Sequence, residues 1–237
     1  MSRTAKTFGW PVIALAVVAG AALGGLGMTL ARGGEGGPSP AAVRAAIMAD
    51  PQMLPDAMEE LQRREAAAAI GPQRAALERP YSGAWAGAAD GDVTLVTFFD
   101  YACGFCRQSN AALARLLAED PRLKVVYREL PVLGPESRTA ALASLAAADQ
   151  GRYRSFYDAR FAAGRPTPET IARAQAAAGV QPAAPSDAHN EEIARNAELA
   201  TRIRANGTPT FVVGDQVLHG AVGYEALKAA VAQARRS

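Results

Sequence analysis

The sequence is poor in the residues that build metal clusters and disulfide scaffolds: its 237 residues include two cysteines and two histidines. Two histidines cannot supply a histidine-based metal centre. Two cysteines exclude the multiply stapled framework that holds small secreted domains together. An excess of either charge is also missing. Lys and Arg total 25 against 23 Asp and Glu, so nothing in the charge balance points to nucleic acid or another polyanionic partner. Aromatics make up 6 %, and the abundant alanine points to a helix-rich protein. The length suits one domain of moderate size with extensions.

Arg3 and Lys6 precede a long uncharged apolar run from Phe8 to Ala31. Positive charge on the short N-terminal side keeps that side in the cytoplasm, so the body of the chain is expected outside it, where disulfide chemistry belongs. Residues 1–33 read in two ways. Val12–Ala19 suits the core of a signal peptide, with Ala19-Gly20-Ala21 as a small-residue cleavage site. Alternatively the run stays as a transmembrane anchor of roughly 20 residues, the length a bilayer needs. Its continuation past the cleavage site favours the anchor.

The two cysteines stand three positions apart, as Cys103-Gly104-Phe105-Cys106, directly after the apolar run Val93–Phe99. A strand ending in C-x-x-C, with a helix starting inside the motif, suits thiol–disulfide exchange. The partially positive helix N-terminus lies beside the first sulfur and favours its thiolate, the attacking species. A purely structural disulfide across so small a loop adds little stability. Metal binding is the other alternative, because two thiolates suit Cu(I) or a zinc shared between chains.

Residues 34–40 form a Gly/Pro/Ser linker. A helical arm follows over residues 41–78, with helices at Ala41–Ala49 and Gln52–Ala69; Asp50 is expected to cap the second and Pro51 to occupy its first turn. Ile47, Leu54, Leu61 and Ala68 recur every seven residues, with Met58 between them. This stripe is either an oligomerisation surface within residues 41–70 or a helix laid on its own domain.

Tyr81–Asp92 is a Gly/Ala-rich approach. Val93–Phe99, helix Gly104–Ala118 and Leu123–Leu130 then form a β-α-β unit, which implies a parallel pair. Helices are expected near Glu136–Gln150, Tyr153–Ala163, Pro168–Ala178 and Glu191–Arg204. Strands return at Thr210–Val213 and Gln216–Leu218, joined by a Gly214-Asp215 hairpin turn, before a last helix at Tyr224–Arg235. The fold class is therefore α/β, with residues 81–134 and 207–237 forming one domain and residues 135–206 a helical insertion.

This layout resembles the thioredoxin fold of the DsbA family, and the ScsC-like and BdbD-like extracytoplasmic members in particular. FFDYACGFC (Phe98–Cys106), Gly207-Thr208-Pro209-Thr210-Phe211 and the hairpin Phe211–Ala221 carry the resemblance in the right order. The arm, with its Asp50-Pro51, also looks like the oligomerisation segment of ScsC-type proteins. The resemblance implies that Thr208-Pro209 is the family's cis-proline pair, lying across from Cys103 with the Thr208 main chain open to a substrate strand. It also implies a buried acid six residues before the nucleophile, where this sequence has Thr97. Asp100 and Glu129 are candidate substitutes, each read first as a strand-end surface or capping group. His189 and His219 are read as surface residues.

The expected catalytic set is thus Cys103 as nucleophile, Cys106 as resolving thiol, and Thr208 and Pro209 opposite them. Phe105, Thr208 and Pro209 are expected to bind substrate. No cofactor is expected beyond a redox-active Cys103–Cys106 disulfide. Gly104-Phe105 offers no imidazole or ammonium to the thiolate, so a mild couple is expected, suited to isomerising disulfides. The expected partners are unfolded or misoxidised exported proteins and a DsbD-like membrane reductase. A net oxidase served by a DsbB-like partner is the alternative, and a Cu(I)-binding thiol protein is the rival from another class.

Overall fold

The computed structural model describes residues 37–236. Residues 1–33, with both readings of the apolar run, lie outside them, and among the described residues no helix is long and apolar enough to cross a membrane. The chain divides into two compact units after Met58.

In the first unit, α1 (Pro40–Ala49) starts at Ser39, whose hydroxyl accepts from the Ala42 N–H at 3.2 Å. Asp50 ends this helix, and its carboxylate accepts from the Gln52 N–H at 3.2 Å. The following helix, α2 (Met53–Ile70), begins one residue later than the sequence pattern suggests. Pro51 therefore sits in the connecting turn, and Pro55 takes the first-turn position that tolerates a missing donor. Leu54, Met58 and Leu61, the centre of the apolar stripe, are all exposed.

The second unit is built on a five-stranded sheet of order β1-β3-β2-β4-β5. Its strands are β1 (Trp85–Gly87), β2 (Val93–Phe99), β3 (Leu123–Glu129), β4 (Thr210–Val213) and β5 (Gln216–His219). β2 and β3 run parallel through the crossover helix α4 (Gly104–Glu119), and the other pairings are antiparallel. The short β1 was not legible in the Gly/Ala-rich approach. Between β3 and β4 the chain forms α5 (Pro135–Asp149), α6 (Tyr153–Ala162), α7 (Pro168–Ala178) and α8 (Asp187–Arg202), and α9 (Gly223–Ala234) ends it. A short α3 (Arg74–Glu78) precedes β1.

Period-two alternation sorts the strand residues onto two cores. Leu95, Phe99, Val125, Tyr127, Phe211 and Val213 face α4, α9 and the aromatic residues of α6. Val96, Phe98, Val126 and Val212 face Ile70, Leu77, Leu199 and Ile203. On that second side Arg128 is buried, and its guanidinium donates to Glu192 at 3.0 Å and Asn196 at 2.7 Å. It also donates to the carbonyls of Leu77, Ala76 and Arg79. One cation thus joins β3, α8 and the C-terminal carbonyls of α3, the helix end where positive charge is favoured.

α8 begins four residues before the expected start. Ser186 caps it reciprocally with His189, whose ring Nδ1 accepts from the Ser186 N–H and whose Nε2 pairs with Asp149 at 2.7 Å. His189 is buried and joins α8 to α5, which corrects its reading as a surface residue. His219 is exposed at the end of β5.

Candidate active site

β2 ends at Phe99, and Asp100 builds the turn that follows. Its carbonyl accepts from the Cys103 N–H at 3.1 Å, and its Oδ1 accepts from the Ala102 N–H at 2.8 Å. Its Oδ2 accepts from the amides of Val132 and Leu133, both at 2.9 Å. Asp100 is therefore a buried capping residue that ties the active-site turn to the loop after β3, and it is not a surface group.

Cys103 is the N-cap of α4, where its Sγ accepts from the Cys106 N–H at 3.4 Å. An anion on this sulfur meets the unpaired donors and partial positive charge of a helix start. The Cys103 thiol in turn donates to the Thr208 carbonyl at 3.3 Å. The Thr208-Pro209 peptide is cis, as the resemblance implied. Residues far apart in sequence thus meet at the sulfurs. The Thr208 main chain lies before β4 and outside its ladders with β2 and β5.

The two cysteines are free thiols, with Cys103 7 % and Cys106 2 % exposed. Burial pushes the Cys106 thiol far above its ordinary pKa, opposed by hydrogen bonding from the Asp100 main chain and the Thr208 side chain. Cys106 therefore holds its proton at neutral pH. Phe105, between the cysteines, is 64 % exposed. Val132 and Leu133 are also exposed, and Asp100 holds their loop beside the active-site turn. Sequence reasoning missed this pair. The available signal was two large apolar residues in a loop between a strand and a Gly-Pro helix start.

Beneath the turn lies an aromatic cluster of Phe99, Tyr101, Tyr127, Phe156, Tyr157 and Phe161. Glu129 is buried against it at 1 % exposure, which overturns its reading as a strand-end surface residue. Its Oε1 accepts from Ser144 and Tyr153 hydroxyls, both at 2.9 Å. Thr97 is buried as well. Among the described residues, no group of three or more His, Cys, Asp or Glu side chains is placed to hold a metal ion.

A family model described as the DSBA-like thioredoxin domain matches residues 94–232. A second, the copper resistance protein ScsC N-terminal domain, matches residues 41–68. A solved thioredoxin-like oxidoreductase from Silicibacter pomeroyi DSS-3 is 35 % identical, with TM-score 0.65, over 69 % of this chain and 98 % of that one. A periplasmic thioredoxin-like protein from Salmonella enterica serovar Typhimurium is 29 % identical, with TM-score 0.66, over 69 % and 96 % of the two chains. Proteus mirabilis ScsC in a transitional conformation is 25 % identical, with TM-score 0.68, over 83 % and 94 %. The curated Na(+)/H(+) antiporter NhaA 1 of Salinispora arenicola is 30 % identical over 160 residues, 62 % of this chain. The chain spans about a quarter of the length of the curated relatives it matches, 24 % for that antiporter.

Proposed function

Because the chain belongs to the DSBA-like thioredoxin domain family, we propose that it is an extracytoplasmic thiol–disulfide oxidoreductase acting on exported proteins. The observation that carries this reading is the position of Cys103, on a helix N-terminus with its thiol against the Thr208 carbonyl. In the proposed exchange the Cys103 thiolate attacks one sulfur of a substrate disulfide. A Cys103–substrate disulfide forms, and the other substrate sulfur leaves as a thiolate. Cys106 then gives up its proton, and its thiolate attacks the Cys103 Sγ. The Cys103–Cys106 bond forms as the bond to substrate breaks, so the substrate gains the two electrons that the pair loses. When a different substrate thiolate instead attacks the substrate sulfur of the mixed disulfide, a new substrate disulfide forms as the bond to Cys103 breaks; Cys103 leaves as a thiolate, the pair returns reduced and the substrate is isomerised.

Three features support isomerisation over net oxidation. Gly104-Phe105 brings no cationic side chain to the thiolate. The buried, protonated Cys106 slows resolution and prolongs the mixed disulfide. The exposed stripe of Leu54, Met58 and Leu61 offers a surface for assembling several copies. In this reading Phe105, Val132 and Leu133 meet apolar segments of unfolded clients, the Thr208 main chain pairs with the client strand, and a DsbD-like membrane reductase keeps the pair reduced. Reactivation of a scrambled-disulfide protein is the test: activity is expected for the wild type and absent in Cys103→Ala. A Cys103→Ala variant that retains activity overturns the nucleophile assignment, and a mostly oxidised pair in the export compartment favours the DsbB-served oxidase.

The match of the arm to a copper resistance domain supports a second reading, in which the two sulfurs bind Cu(I). The donor chemistry fits, but the Cys106 proton must first be displaced against the effect of burial. Stoichiometric Cu(I) binding without disulfide reductase activity would favour it.

A further inference from the structure

The first turn of α4 carries more than the two sulfurs. Arg107 follows Cys106 directly, its N–H donates to the Cys103 carbonyl at 3.2 Å, and it is exposed. One turn further along, Asn110 accepts from the Tyr157 hydroxyl of α6 at 2.7 Å, which fastens α6 to α4. Residues three apart share a helix face. Arg107, three before Asn110, and Arg160, three after Tyr157, therefore flank this bond on the two helices.

Arg160 is buried and is bonded to carbonyls rather than to a carboxylate. Its guanidinium donates to Gly164 at 2.6 Å and to Thr170 at 3.0 Å, and its buried Nε has no partner. Burial pushes the Arg160 guanidinium down from its usual value; Tyr101 opposes this, while the charges of Arg107 and Arg173 add to it. The two carbonyl bonds also hold the loop between α6 and α7, which contains Arg165, and Arg173 lies one turn after Thr170. Arg165 and Arg173 are exposed. Among the described residues, none of Arg107, Arg165 and Arg173 makes an ion pair. The acids of these elements are engaged elsewhere. Asp158 pairs with Arg154 at 2.9 Å, and Glu119 pairs with Arg115 at 2.7 Å at the far end of α4. Glu169, in the first turn of α7, is held below the usual carboxylate range by the Thr167 side chain.

We propose that Arg107, Arg165 and Arg173, backed by the buried charge of Arg160, select acidic client segments for Cys103. The proposal rests on the exchange reading above and names its substrate class. Phe105 offers the client an apolar contact, and Arg107, two residues on, begins a positive margin on the side of the helical insertion. Uncompensated charge beside a reactive group raises the encounter rate of segments of opposite sign and repels those of like sign. An acidic stretch beside the client cysteine therefore supplies the carboxylates that these arginines lack within their own chain.

The probes are three cyclic disulfide peptides, alike except for Glu, Gln or Lys on both sides of one cysteine. The full chain, reduced beforehand, is mixed with each. Its rate of peptide reduction is divided by that of dithiothreitol on the same peptide, which cancels the effect of charge on the peptide sulfurs. At low salt the Glu peptide is expected to exceed the Gln peptide about tenfold, at about two- to threefold for each of three exposed ion pairs, and the Lys peptide to fall below both. In about 1 M salt, where the screening length is about 3 Å, the preference is expected to collapse. The triple variant Arg107→Gln, Arg165→Gln, Arg173→Gln is expected to lose the preference, and the matching Lys variant to keep most of it. Equal normalised rates for the three peptides in the wild type overturn the proposal. A preference that survives the Gln variant or high salt overturns it too, and the salt arm stands even where the triple substitution disturbs the fold. A reduced protein that reduces none of the peptides refutes the exchange reading instead.

Discussion

Replacing Glu129 by Gln should change how folding stability depends on pH, in a window set by one residue. In the folded protein burial holds the Glu129 carboxyl at about 7, against 4.5 for an unperturbed glutamate. Between those values the folded state binds the proton and the unfolded chain does not. Stability contributed by Glu129 is therefore full at acid pH, falls as pH rises through this window, and levels off above about pH 7. At about 1.4 kcal/mol per pKa unit, the loss is about 3 kcal/mol. The assay is urea unfolding of the reduced protein, held as a dithiol by a phosphine, across this window for wild type and Glu129→Gln. Carboxylates held below their usual range by arginines, such as Asp92 and Asp120, contribute equally to both proteins and cancel in the difference. The wild-type advantage should shrink by about 3 kcal/mol from acid to neutral pH. A difference constant within about 0.5 kcal/mol, the size of an ordinary surface effect, would refute the raised ionisation of the buried carboxyl at this site.

Arg128→Met should cost about 3 kcal/mol, because it removes one of the two cations on the buried Glu192 carboxylate, leaving only Arg195, and adding Glu192→Leu should restore part of that; denaturant midpoints measure both. Combined Phe105→Ser, Val132→Ser and Leu133→Ser should raise KM for an unfolded protein client several-fold while leaving reduction of a small aromatic disulfide unchanged, which steady-state kinetics resolves. Cys106→Ala should accumulate a mixed disulfide on Cys103 that non-reducing electrophoresis captures, since the sulfur that releases it is gone. Light scattering with and without residues 41–70 should show loss of assembly on deletion, and an unchanged mass would remove the oligomer reading.

The elements read correctly from the sequence were those whose signal is local. β2 and the helix Pro168–Ala178 match their expected spans, and α4 differs by one residue at its end. Continuous β-branched and aromatic runs, a Thr-Pro helix start and a closing Gly179 state these elements directly. β1 was illegible because three residues of Trp-Ala-Gly become a strand only through their antiparallel pairing with β3. The start of α8 was misplaced because its capping box uses His189 where the usual pattern has Glu or Gln. Val132 and Leu133 read as ordinary loop residues until the Asp100 carboxylate was seen to bind their amides.

The sequence by itself determined the chemistry: two cysteines in C-x-x-C at a strand-to-helix junction, and a distant Thr-Pro before a strand. These are patterns of adjacent residues, and their backbone consequences are local. Tertiary structure alone decided what surrounds the sulfurs. It placed the Thr208 carbonyl on Cys103, buried Cys106, and turned Glu129 from an expected surface group into a carboxyl enclosed by hydroxyls. Burial and dielectric depend on which helices cover a strand end, and α5 and α6 reach Glu129 from 15 and 24 residues further along the chain.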